Sequence, residues 1–273
     1  MWDVCLIMKR VILAQAGFSS SLEYSLSLIK KAGFDGVFFT MQGALLSEYY
    51  INKAYEQNLF VEALHLPYSE DRKIINDLWA NNSYAKDALK TLLSGIDLAY
   101  NNKIDKVILH ASNGYAPPPM TREGINNFKL IAGYCYERGI MLTIENIKKM
   151  LYVERLLNDL SDYDIKFCFD IGHARAFTKN LYSKDWSNLF KKVGCVHIHD
   201  NYGNKDLHLI PGMGDIKYNR ILKDLFKNES LNFTLELYYT GREELYKNIT
   251  EFQFYKYAYD SIEKLLKEKN ENT

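Results

Sequence analysis

The chain has 273 residues, with 34 Lys and Arg against 34 Asp and Glu, and it is 47% hydrophobic and 14% aromatic. That is enough for a substantial core, and the zero formal charge withholds the long-range attraction on which most nucleic-acid binders rely, although a local basic groove can hide in a neutral total. Five prolines and 15 glycines exclude a disordered linker protein, and no apolar run approaches the roughly 18–20 residues that span a bilayer.

The amino terminus MWDVCLIMKR carries neither the basic start nor the small-residue cleavage signal of a secretory leader. Met8 opens the more ordinary start MKRVIL, so residues 1–8 read as an N-terminal extension and residues 9–273 as the folded domain. Short apolar runs rich in β-branched residues then recur. They read VILAQAG from Val11, GVFFT from Gly36, VEALHLP from Val61, KVILHAS from Lys106, MLTIENI from Met141, IKFCFDIGH from Ile165, CVHIHDN from Cys195 and FTLELYY from Phe233. Between them, SSLEYSLSLIKKAG starts on serines and ends on Gly33, and SYAKDALKTLLSGIDLAYNN repeats apolar residues at helical spacing up to Asn101 and Asn102. TREGINNFKLIAGYCYERG and VERLLNDLS follow the same pattern, YNRILKDLF is the weakest helix, and a final helix is predicted from roughly Thr250 to Lys267.

Eight buried strands separated by helices imply a parallel sheet, because parallel pairing needs long crossovers and covers both faces. A step of about 30 residues from strand to strand and a total near 250 fit an α/β fold of the closed (β/α)8 barrel type. An open doubly wound sheet would want a glycine fingerprint after the first strand, where this chain reads AQAGFSSS. No composition shift marks a second domain. Cys5, Cys135, Cys168 and Cys195 are far apart and form no CxxC pair, so neither a thiolate zinc site nor a disulfide framework is expected, and a reducing cytoplasm fits.

In such a barrel the carboxyl ends of all strands open on one face, and that face carries the site. His65, His110, Glu145, Asp170, His173, His197, His199, Asp200 and Glu236 interrupt apolar runs there, with Asp206 and His208 following in a loop. A single strand histidine is more often a hydrogen-bonded core residue than a ligand. Six imidazoles converging with several carboxylates are different, because a divalent ion neutralises the acids and takes neutral imidazole. The mixed nitrogen and oxygen set suits zinc, manganese or iron. In VHIHD, His197 and His199 share one face by strand parity, which cannot choose between them as ligand. DLHLIPGMGDI reads as a loop whose glycines permit tight turns.

The ordered set of motifs resembles the endonuclease IV and xylose-isomerase-like TIM-barrel superfamily, along nearly the whole chain from about Lys9. The resemblance implies one central metal held by Glu145, Asp170, His197 and Glu236, with His197 preferred because HIHD aligns with the family's HxxD. It also implies further ligands, His65, His110, His173, Asp206 and His208, which in the endonuclease branch complete a trinuclear zinc cluster; Tyr68 in HLPY matches that branch too. The segment SEDRKIIND after Tyr68 shows no DNA-penetrating set of basic and polar residues. Two activities follow from the resemblance. The first is a divalent-metal-dependent isomerase or epimerase of a small sugar, sugar acid or sugar phosphate, working through a metal-stabilised enediolate with Glu145 and Glu236 as the catalytic acid–base pair. His65, Tyr68, His173 and His199 would then meet substrate, while His65, His110, Asp206 and His208 line the pocket or hold an auxiliary ion. The alternative is an apurinic/apyrimidinic endonuclease hydrolysing DNA phosphodiesters with three zincs. A phosphate would be sought near Lys205, Arg220 and the amides around Gly212 and Gly214.

Overall fold

A computed structural model describes residues 9–41, 47–68, 74–223, 225, 228 and 230–271; the predicted extension 1–8 lies outside them. Eight parallel strands close into a barrel in sequence order. They are β1 (Arg10–Leu13), β2 (Gly36–Thr40), β3 (Phe60–His65), β4 (Lys106–His110), β5 (Met141–Glu145), β6 (Lys166–Asp170), β7 (Val193–Ile198) and β8 (Phe233–Leu235). Closure is sealed by β1 against β8, with Val11 opposite Thr234.

The helices around it follow the apolar spacing of the sequence. Leu22–Ala32 is capped by the Ser21 hydroxyl and stopped by Gly33 in the left-handed region at φ 118°, as its serine start and glycine end foretell. Ser83–Asn101, capped by Asn82, buries Ala85, Ala88, Leu92, Ile96 and Ala99 on one face. The last helix runs over Glu251–Glu271, beyond the expected Lys267, because EKNE contains no breaker. YNRILKDLF yields, among the described residues, a helix over Tyr218–Ile221 alone. No helix among the described residues is long and apolar enough to cross a membrane.

Inside the barrel, Val11, Leu13, Phe38, Ala63, Ile108, Cys168 and Cys195 form a separate apolar cluster. One irregularity matters for the site. Val37 pairs with Val61 but Phe39 pairs with Leu64, so three residues of β3 face two of β2. This bulge rephases the strand, and Glu62 and His65, three apart, both reach the interior. Glu62 does so toward the amino ends of the strands, where it accepts from Thr234 Oγ1 (2.6 Å) and Asn232 Nδ2 (2.8 Å) and pairs with Lys106 Nζ at 3.2 Å.

Burial opposes the charge on both partners. The Lys106 ammonium nevertheless holds Glu62 below the usual carboxylate range, and Glu62 raises Lys106. The pair's contribution is therefore complete from about pH 5 to pH 10; it is lost as pH falls through the depressed Glu62 value or rises through the raised Lys106 value. Replacing Lys106 by Met should cost about 3–5 kcal/mol in urea denaturation at neutral pH, because Glu62 is left charged and buried. Adding Glu62→Leu should restore part of that loss, and a wild-type midpoint for Lys106→Met alone would refute the account.

Candidate metal centre

His65, His110, Glu145 and Asp170 each end their strand, His197 is the penultimate residue of β7, and His199 and Glu236 lie one residue beyond β7 and β8. Pairing puts His110 opposite Glu145 and Asp170 opposite His197, so strand register itself joins candidate ligands from different parts of the sequence. The three-residue spacing in DIGH has a local cause. Asp170 is the N-cap of the helix Ile171–Phe177, and its Oδ1 accepts from the His173 amide at 2.6 Å, which fixes His173 on the first helical turn.

Asp206 and His208 come from the loop after β7, where His208 adopts φ 48°. Asp200 organises this loop: its carboxylate accepts from the amides of Asn201 (2.9 Å), Gly212 (2.8 Å) and Ile216 (3.2 Å), and its backbone pairs with Leu209. Gly214 lets the chain pass, since a Cβ there would stand 2.4 Å from Asp200 Oδ1.

Three groups of donors result. In the inner group, Glu145 Oε2 lies 3.0 Å from His65 Nε2 and 2.8 Å from His110 Nε2. In the central group, His197 Nδ1 lies 2.7 Å from Glu145 Oε1, 3.0 Å from Glu236 Oε2 and 3.9 Å from Asp170 Oδ2. In the outer group, Asp206 lies 3.2 Å from both His173 Nε2 and His208 Nε2. Glu145 belongs to the first two groups and joins them. His197 and His199, inseparable by strand parity, part company here: His197 enters the central group and His199 the outer one.

The protonation pattern argues that cations belong in these groups. His65 Nδ1 faces the Leu66 carbonyl, His173 Nδ1 that of Asn146 and His208 Nδ1 that of Glu236, each at 2.9 Å. A carbonyl only accepts, so each Nδ1 donates there, and Nε2 is the atom that meets a carboxylate oxygen through a proton or a metal ion. Two acceptors at about 3 Å repel unless a proton or a metal ion lies between them. Among the described residues, the buried side-chain atoms without hydrogen-bond partners include His110 Nδ1, Asp170 Oδ2, His197 Nε2, both His199 nitrogens, Asp206 Oδ1 and Glu236 Oε2. They gather where a cation would satisfy several of them. Titration follows the same logic. Burial opposes the charged form of Glu145, Glu236 and Asp206, yet the surrounding histidines hold all three below the carboxylate range. Burial also lowers His173 and His208, but the acids overcome it and raise both. At His110 burial prevails and keeps the ring neutral.

The structure corrects two expectations. Cys168 and Cys195, distant in sequence, are register partners on β6 and β7 and lie within ligand distance of His197, so thiols do stand against the centre. The Cys168 thiol holds Cys195 down at about 6, whereas burial pushes Cys168 up. The amide of Gly212, expected to face a phosphate, is spent on Asp200, and Arg220, Gly212 and Gly214 line a separate cavity.

Above the ligands opens a cavity of about 840 Å³ lined by Tyr68, His110, His173, Asp206, His208 and Glu236, with Lys148, Lys205 and Arg242 on its wall. His65 and His199 are buried behind it. Sequence reading missed Asn146, Tyr238 and Arg242. Asn146 clamps β5 to β6 through both the N–H and the carbonyl of Asp170, at 2.9 and 2.8 Å. Arg242 donates to the carbonyls of Leu207 and Asp206 at 2.6 and 3.1 Å, holding the Asp206 loop. Only its place just after β8, in YYTGRE, offered a signal.

A closed parallel barrel with carboxylates and imidazoles gathered at the carboxyl ends of its strands defines the class of protein. Residues 26–256 match the xylose isomerase-like TIM barrel family, and the chain belongs to it. An uncharacterized protein of Methanocaldococcus jannaschii is 34% identical over 97 residues, which cover 33% of this chain and 37% of that relative. Among solved structures, a D-tagatose 3-epimerase-like protein superposes with a TM-score of 0.69 at 23% identity over 97% of both chains. An L-ribulose 3-epimerase does so with a TM-score of 0.73 at 17% identity, again over 97% of both chains. At these identities the superpositions speak for the fold.

If Asp200 holds the ligand loop, Asp200→Ala should cost about 1.5–3 kcal/mol in urea denaturation, the range for hydrogen bonds to a charged group. It should also speed amide exchange at Gly212 and Ile216; unchanged protection there would remove Asp200 from this role.

Proposed function

We propose that this barrel is a divalent-metal-dependent isomerase or epimerase acting on a small sugar, sugar acid or sugar phosphate. The observation that carries the reading is the position of Glu236. It belongs to the central donor group, only 3% of its surface is exposed, and it stands on the wall of a cavity sized for a small ligand.

Glu145, Asp170, His197 and Glu236 would hold the ion, zinc or manganese, as the mixed nitrogen and oxygen set suits either. When bound, the ion supplies positive charge beside substrate oxygens that become negative in the enediolate. The side chains do the rest. Glu236 removes or returns the proton on carbon. Tyr238 Oη donates to Glu236 Oε1 at 3.2 Å and stands 3.5 Å from Tyr68 Oη, a hydroxyl chain that keeps this carboxylate oriented. Glu145, fully buried and outside the cavity lining, would act from the opposite side of the substrate, held in place by His65 and His110. His173 meets a substrate oxygen, and Lys148, Lys205 and Arg242 give the wall a positive character that suits an anionic sugar.

A specific observation favours a second reading. Glu145 joins two donor groups and a third lies alongside, the arrangement that the resemblance to the endonuclease branch implies for a trinuclear phosphodiesterase attacking abasic DNA. Residues 69–73, part of the segment expected to lack DNA-penetrating side chains, fall outside the described region.

The test is incubation of zinc-loaded and manganese-loaded protein in deuterated water with a panel of ketoses, aldoses, uronic acids and their phosphates. Proton NMR should report deuterium incorporation at the carbon beside the carbonyl. Glu236→Gln should slow that exchange by about 10²–10⁴-fold while circular dichroism stays unchanged. Absence of exchange across the panel, together with nicking of abasic duplex DNA, would replace the isomerase reading by the hydrolytic one.

A further inference from the structure

His199 is fully buried (0% exposed), and neither of its ring nitrogens has a hydrogen-bond partner. Its Nε2 lies 3.7 Å from Asp206 Oδ1 and 3.1 Å from Asp170 Oδ1. The ring stacks on His208 with centroids 3.9 Å apart and planes 15° apart, and meets His173 edge-on at 5.4 Å. Room for the ring is provided by Gly172, where a Cβ would stand 2.0 Å from His199 Cε1.

Donor spacing supplies the quantitative argument. Ligands about 2.0–2.1 Å from a tetrahedral zinc stand about 3.3 Å from one another. In the outer group His208 Nε2 and His199 Nε2 stand 3.2 and 3.7 Å from Asp206 Oδ1, and His173 Nε2 stands 3.2 Å from Asp206 Oδ2. All four donors lie within 4.8 Å of one another.

We propose that His199 is the fourth protein ligand of the outer site, which is thereby closed and holds a structural zinc. Four protein ligands, three of them imidazoles, leave a tetrahedral zinc no exchangeable position, the mark of structural sites, whereas the three carboxylates and one imidazole of the central group suit an ion of higher coordination that keeps a position open for substrate. The ion would staple the loop carrying Asp206 and His208 to the helix that carries His173, stiffening one wall of the substrate cavity. It would not bind a substrate oxygen, so a phosphodiester could not be gripped at all three sites. This inference stands on the outer group and does not depend on which substrate the central site accepts.

The experiment loads the full chain with zinc, dialyses it against EDTA and counts retained zinc by mass spectrometry, with thermal melting as a parallel readout. The unaltered protein should keep one zinc per chain and the melting temperature it has when zinc-loaded. His199→Asn should bind that zinc at least about tenfold more weakly and lose it to the chelator, whereas His65→Asn, in the inner group, should keep it. Retention of the resistant zinc by His199→Asn overturns the proposal. If that variant does not fold, a crystal structure of the unaltered protein at the zinc edge decides. His199 Nε2 about 2.0–2.1 Å from the outer ion supports the fourth ligand; water or phosphate in that position, with His199 turned to Asp170, overturns it. Deuterium exchange into sugars, measured on the same preparation, reports separately on the proposed activity.

Discussion

A carboxylate taken out of water among imidazole lone pairs needs a positive charge in its midst. Glu145 is 0% exposed, and its two oxygens meet His197, His110 and His65 at 2.7, 2.8 and 3.0 Å. Burying one ion at that depth costs several kcal/mol even after relaxation, and the cost is recovered only with opposite charge and good geometry. Protons can supply that charge, but each proton added to a histidine in so dense a cluster repels the next. A divalent ion delivers more charge to one point and takes the neutral rings as ligands. The arrangement of the mouth follows from this requirement.

The backbone meets it with parts the barrel already has. Carbonyls of Leu66, Asn146 and Glu236, each just beyond the end of a strand, take the Nδ1–H of three histidines and so turn each Nε2 toward the carboxylates. Such carbonyls remain without sheet partners where parallel strands stop, so the fold offers acceptors where ligands need orienting. Asn146 doubles the effect by tying Asp170 to β5 while its own carbonyl orients His173. Phe38 stacks beneath His197 at 4.9 Å, so this ligand rests on the apolar layer of the barrel interior. Below that layer the Glu62 and Lys106 pair closes the other end, with Glu62 still within the electrostatic reach of His197.

How much of this was legible in the sequence depended on the range of the interaction. Strand-end residues such as His110 in VILHAS or Asp170 in FDIGH were readable, because a parallel barrel sends every strand's carboxyl end to one face. The partnership of Asp170 with His173 is local, a helix cap, and lay within reach of the motif. The Cys168 and Cys195 contact depends on strand register, and here the β6 to β7 ladder shifts between Phe167 and Cys168, a step that no spacing rule anticipates. The bulge in β3 was equally hidden, so nothing in VEALHLP foretold that Glu62 and His65 face the same interior. Gly212 misled for a related reason: a glycine-rich loop suggests free amides, but Asp200, twelve residues earlier, had already taken this one.

The balance of 34 basic and 34 acidic residues acquires a spatial meaning at the mouth. Lys148, Lys205 and Arg242 line the same cavity as Asp206 and Glu236. The two signs are layered. The acids lie deep, where a metal ion would neutralise them, and the cations stand on the wall; Lys148 rests over Tyr115 and Phe177 at 4.8 and 5.6 Å, and Arg242 over Tyr238 at 5.9 Å. Once the deep acids are neutralised, the field that an incoming molecule meets is set by the wall cations at short range. Debye screening near 8 Å at physiological salt confines that field to the cavity. Selectivity for a small anionic or polyhydroxylated ligand can therefore coexist with a protein whose total charge is zero, because only a molecule already inside the cavity experiences the segregation.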